Sequence, residues 1–108
     1  MPEFKTRDFG KALVKTFMAL DAKVSKEDYA ADTGSTSCVI FFTNKTIYCA
    51  NAGDSRGVLS SGDSAHPLSF DHKPDNHDEL ARIQAAQHFV EDSRVDGNLA
   101  LSRAFGDF

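Results

Sequence analysis

The chain has 108 residues, 41% of them hydrophobic, with nine Phe, three Pro and a formal net charge of -4. At this length one domain with a real core is expected, burying roughly two-thirds of the unfolded chain's surface, and the composition excludes a disordered tail or linker. Scattered Lys and Arg in an acidic chain give no electrostatic footprint for nucleic acid. The longest apolar run, Cys38 to Phe42, is too short to cross a bilayer, and charges stand where a signal peptide needs apolar residues. No nucleic acid and no membrane are therefore expected as partners, and the expected location is cytoplasmic or nuclear, not secreted.

Phe9, Leu13, Phe17, Leu20 and Val24 recur at steps of three and four, which predicts an amphipathic helix that begins near Thr6 to Asp8 and has run out by Tyr29 or Ala30. The turn around Gly34 then leads into strands. Ser37 to Phe42 and Thr46 to Ala50 are rich in β-branched and aromatic residues, and Thr43 to Thr46 reads as a tight reversal between them. With a two-residue loop, Cys38, Ile40, Phe42, Ile47 and Cys49 share one face and Val39, Phe41, Tyr48 and Ala50 the other. Both faces are largely apolar, so cover on both sides is expected. That register sets Cys38 opposite Asn51 instead of Cys49, so a disulfide between the cysteines would need a different register. The two cysteines fit neither a disulfide framework nor a paired-Cys zinc site and read as small buried hydrophobes.

Beyond Gly57, a second hairpin turns at Ser60 to Asp63 and returns through His66 to Leu68. Asp71 to Pro74 reads as a loop. Asp75 or Asn76 can cap a helix from about His77 to Ala86, with Asp78 and Glu79 in its first turn and Leu80, Ile83 and Ala86 or Gln87 on its inner stripe. Phe89 to Phe108 mixes short extended pieces with one or two helical turns between Asn98 and Phe105.

The chemistry concentrates in NAGDSRG, Asn51 to Gly57. Gly53, Ser55 and Gly57 match the spacing of a hydrolase nucleophile elbow, which requires a helix after the Ser and a His base. The residues that follow read as a strand, and His66, His72, His77 and His88 bear no recognisable relation to Ser55. The Gly-Asp-Ser esterases need an Asp-x-x-His near the end of the domain, and the one such spacing here, Asp63 to His66, lies mid-chain. What remains is Asp54 on a turn between two strands, a hard oxygen donor suited to Mg²⁺ or Mn²⁺, or else an Asp bonded to its own backbone.

Five blocks occur in order: GST (Gly34 to Thr36), NAGDSRGVL (Asn51 to Leu59), LSFDHKPD (Leu68 to Asp75), ELARI (Glu79 to Ile83) and RVDGNLALSRAFGD (Arg94 to Asp107). Together they closely resemble the metal-dependent Ser/Thr protein phosphatases of the 2C family. The resemblance implies an α+β fold, part of an α-β-β-α sandwich of antiparallel sheets flanked by helices. It implies hydrolysis of phosphoserine and phosphothreonine in phosphorylated protein substrates by a water activated on Mg²⁺ or Mn²⁺. It transfers one site residue, Asp54, as a metal ligand; Ser55 becomes a turn residue, and Arg94, Asp96, Gly97, Ser102, Arg103 and Asp107 take structural parts.

The resemblance also marks departures. The family's phosphate-binding Arg, Glu-Asp pair and Asp-Gly-His-Gly motif do not occur here, nor do its later Asp-Gly-aromatic-Asp motif and final metal-binding Asp. Residues 1–108 are thus expected to be a single partial catalytic domain, inactive alone, with open sheet edges that invite self-association. The alternative is a non-catalytic interaction or regulatory module on the same scaffold. Where the family has Ala-Gly-Gly, this chain has Ala86-Gln87-His88, restricting φ at that turn. His88 reads as an exposed loop residue or, failing that, a ligand.

Overall fold

The computed structural model describes residues 1–108. Helix α1 (Pro2–Lys5) precedes α2 (Phe9–Val24), and a 3₁₀ turn (Ala30–Asp32) leads to β1 (Gly34–Ser35). Strands β2 (Ser37–Phe42), β3 (Ile47–Ala52), β4 (Val58–Ser61) and β5 (Ser64–Pro67) follow. Then come α3 (His77–Ala85), β6 (Val90–Glu91), β7 (Arg94–Val95) and β8 (Phe105–Gly106). The strands pair antiparallel as β1-β8, β2-β3, β4-β5 and β6-β7. The fold is α+β. No helix is long and apolar enough to cross a membrane.

Asp8 caps α2 by accepting from Lys11 N–H, which satisfies one of the donors left free at a helix start. The helix stops at Val24, where its apolar spacing ends; the chain turns at Ser25 and residues 25–29 carry little to bury. Phe9 stacks on Phe41 at 4.8 Å and meets Tyr48 edge-on at 5.9 Å, while Phe17 meets Phe105 at 5.0 Å. These are favourable tilted and edge-to-face aromatic geometries. Ala12 is the buried residue of the helix, whereas Leu20, expected inside, is half exposed.

The first hairpin has the expected register, with Phe42 opposite Ile47, Ile40 opposite Cys49 and Cys38 opposite Asn51. Its loop closes with Thr43 N–H donating to Thr46 O. One face packs on α2 through Phe41 and Tyr48. The other is covered only near Cys38 and Cys49, where Gly57 lies over them, and Phe42 stands 73% exposed. The cysteines are half-buried, not fully buried as expected, and both are free.

The second hairpin turns at Gly62, φ 60°, with Ser61 opposite Ser64. Helix α3 begins at the expected place, but its inner face carries Glu79 and Ile83; Ala86 and Gln87 are exposed. Asn76 is its N-cap without a side-chain cap bond, because its amide donates to Asp71 O. No helical turn forms between Asn98 and Phe105. Those residues make bends and a bridge from Val95 to Leu99, followed by β8 against β1.

Candidate functional site

Strand β3 ends at Ala52 and β4 begins at Val58, so Asp54 lies on the bend between two strands, as expected. Gly53 is buried with φ 115°, and a Cβ there would come within 2.5 Å of the Thr36 side chain. Only glycine fits this close, left-handed approach. Two hydrogen bonds to one residue then hold the bend: Gly53 N–H donates to His72 Nδ1 at 3.0 Å and His72 N–H donates to Gly53 O at 2.9 Å. Asn51 adds a side-chain bond to Gly53 O at 3.1 Å.

Asp54 presents a carboxylate whose side chain is 30% exposed, with Oδ2 bonded to Lys73 Nζ at 2.6 Å. Ser55 Oγ bonds to Thr36 Oγ1 at 2.7 Å. A strand follows Ser55, so the nucleophile-elbow geometry is absent. Arg56 forks onto Asp71, with Nε to Oδ1 at 2.9 Å and an outer nitrogen to Oδ2 at 2.8 Å. The Arg56 bond holds the Asp71 carboxyl below its ordinary value and raises the guanidinium in turn. Gly57 N–H donates to Ser69 Oγ and Leu68 N–H to Gly57 O. Gly53, Asp54, Arg56 and Gly57 are therefore each tied to the 68–73 segment, and Ser55 to Thr36.

Behind His72 lies a charge cluster. Glu79, 6% exposed, accepts from Arg82 Nε at 2.9 Å and Arg103 Nε at 2.6 Å, and its Oε1 lies 4.0 Å from His72 Nε2. Arg82 also donates to Ser102 O at 2.6 Å, and Ser102 N–H donates to His72 O at 3.0 Å. Burial alone would raise the Glu79 pKa, but the two guanidiniums more than reverse it and leave the net value lowered. Burial pushes His72 down, against the opposing pull of Glu79. With Nδ1 accepting from Gly53, the neutral ring carries its proton on Nε2, toward Glu79.

The chain gathers no group of three or more His, Cys, Asp or Glu side chains arranged to hold a metal ion. Asp54 is paired with Lys73, Asp71 with Arg56, and His72 Nδ1 with a backbone N–H. These residues fit one oxygen ligand of a Mg²⁺ or Mn²⁺ ion and do not fit a complete site. His88, weighed as a ligand, bonds Asp96 Oδ2 at 2.7 Å through Nδ1 on the exposed β6-β7 side.

Sequence reasoning missed Lys73, His72 and the Glu79 cluster. Glu79 and Arg82 carry a readable signal, since i,i+3 spacing puts them on one helix face. Arg103 is remote in sequence, and DHKP, though part of a matched block, read as a loop with no role for its side chains.

The sequence profile of the family described as Protein phosphatase 2C matches residues 1–108. Protein phosphatase 2C homolog 3 of Schizosaccharomyces pombe is 50% identical over 109 residues, covering 99% of this chain and 26% of the relative. Protein phosphatase 2C homolog 2 of the same yeast is 46% identical over 112 residues, covering 99% and 30%. Protein phosphatase 2C 1 of Paramecium tetraurelia is 44% identical over 117 residues, covering 96% and 39%. The chain thus spans between about a quarter and two-fifths of the length of these relatives. With the Gly53 bend, the Asp54 carboxylate and the matched profile together, the chain belongs to the protein phosphatase 2C family.

Proposed function

We propose that this chain contributes the central part of a Mg²⁺- or Mn²⁺-dependent phosphatase acting on phosphoserine and phosphothreonine in phosphorylated proteins. The observation that carries this reading is the bend at Gly53, locked by His72 and presenting the Asp54 carboxylate at the rim of two strands. Asp54 would give one oxygen to a divalent cation. Lys73 meanwhile balances its charge. Thr36 and Ser55 bond each other, and Arg56 and Asp71 pair, so these four residues hold the bend in place.

In the full-length protein, with p-nitrophenyl phosphate and millimolar Mn²⁺, Asp54→Ala should lower metal-dependent turnover at least about tenfold, as loss of a ligand does. Ser55→Ala should keep most of it. Abolition by Ser55→Ala with folding intact would return the nucleophile reading. A second reading, a non-catalytic interaction module for residues 1–108 alone, draws on the Lys73 pairing and the absence of a three-ligand group. It expects negligible Mn²⁺-dependent hydrolysis by the isolated chain, and clear turnover sensitive to Asp54→Ala would reject it.

A further inference from the structure

Cys38 and Cys49 take no part in the site described above, yet their sulfurs lie 3.9 Å apart. The β2-β3 register explains why. Cys38 faces Asn51 and Ile40 faces Cys49, so the two cysteines are diagonal neighbours on one face of the hairpin. Gly57 closes over them: a Cβ built there would stand 3.2 Å from Cys49 Sγ and 3.4 Å from Cys38 Sγ. Two of the residues around the pair lead to the Asp54 bend, Asn51 two residues before Gly53 and Gly57 directly after Arg56.

We propose that Cys38 and Cys49 are a reversible thiol–disulfide pair whose state is transmitted to the Asp54 bend. The oxidant is a peroxide. One sulfur takes an oxygen from hydrogen peroxide to become a sulfenic acid, releasing one water; the other thiol displaces that oxygen as a second water and forms the S–S bond. Two thiols lose two electrons and two protons, and the peroxide is reduced to two waters. A small dithiol reductant reverses the step by exchange.

Geometry sets both the feasibility and the effect. A disulfide is about 2.05 Å long, so the sulfurs must close by about 1.9 Å. Side-chain rotation can supply part of this because both side chains project from the same face. The rest is a diagonal shear of β2 against β3, away from the register in which Cys38 faces Asn51, and that shear moves Asn51 and the cover at Gly57. Burial and the adjacent Cys38 thiol push Cys49 up, which disfavours its thiolate and slows its own attack on peroxide.

The test uses the unsubstituted protein in its thiol form, so it does not depend on any variant folding. After mild hydrogen peroxide, the intact mass should fall by two hydrogens and a non-reducing digest should yield the Cys38 and Cys49 peptides joined. Iodoacetamide labelling of both residues should be lost and then restored by dithiothreitol, and the amide resonances of Gly53, Asp54 and Gly57 should shift. In Cys49→Ser, dimedone should trap a sulfenic acid on Cys38. Retained labelling of both thiols, added oxygen without a cross-link, or cross-links only between copies would overturn the pairing. A formed bond that leaves those amide resonances unmoved would overturn the transmission.

Discussion

Gln87 occupies the left-handed region at φ 66°, in the position just past the α3 cap where helices favour glycine. Gln87 N–H donates to Gln84 O and His88 N–H to Ile83 O, the paired bonds that close a helix end with one left-handed residue. The departure seen in the sequence, Ala-Gln-His in place of Ala-Gly-Gly, therefore does not reroute the turn; the strain is borne by Gln87. A left-handed non-glycine residue costs roughly 1 kcal/mol or more. Gln87→Gly should stabilise the chain by about 1 kcal/mol in urea unfolding with unchanged slope, and no gain would show that the strain is relieved elsewhere. Glu79 is the opposite case, a charge expected only to favour the first turn of the helix, which turns out to be buried. Its partners Arg82 and Arg103 are about half exposed, which screens them, so Glu79→Ala should cost about 2 kcal/mol, less than a fully buried pair. Thermal unfolding gives the check.

At the scale of elements, α3, the 68–73 segment and the bend rise or fall together through His72 and Glu79. The lowered folded pKa of Glu79 makes its contribution fully present above its ordinary value of 4.5 and lost as pH falls through the folded value. His72 is also lowered, from 6.5, so the unfolded chain binds its proton first as pH falls and stability declines from about that point. Both signs agree. The unfolding midpoint should drop below pH 6.5 and drop again below pH 4.5, with Glu79→Gln flattening the lower limb. A midpoint that rises on acidification from pH 6.5 would contradict the assignment. The first hairpin was legible at this scale because runs of β-branched and aromatic residues mark its strands and a two-residue turn fixes register locally, down to Cys38 opposite Asn51. The tail from Asn98 was not, because its short pieces are ordered by pairing with distant segments, β8 on β1, and not by a local pattern. The bonds that aim Asp54 join segments nineteen residues apart, and no local pattern encodes them.

Across the whole molecule, eight of 108 residues are buried and the radius of gyration is 15.7 Å. A compact chain of this length would have about 13 Å, so the layers enclose little interior. Four two-stranded sheets leave a free hydrogen-bonding edge on most strands, and Phe42, Phe70 and Met18 are at least 70% exposed. Paired copies through those edges are the expected response. Light scattering after size exclusion should give a mass above one chain that falls with dilution; a strict monomer at high concentration would reject this.

Strand β8 returns from the far side of the sequence to lie on β1, and Gly106 N–H also donates to Asp21 on α2. The Asp107 carboxyl fills the space that a side chain at position 34 would need. A loop of that length is closed late, because its ends gain nothing until most intervening segments are ordered. The amides of Gly106 and Asp107 therefore act as a clasp on the folded chain, and their exchange with deuterated water should report the last step of assembly and the first of its undoing.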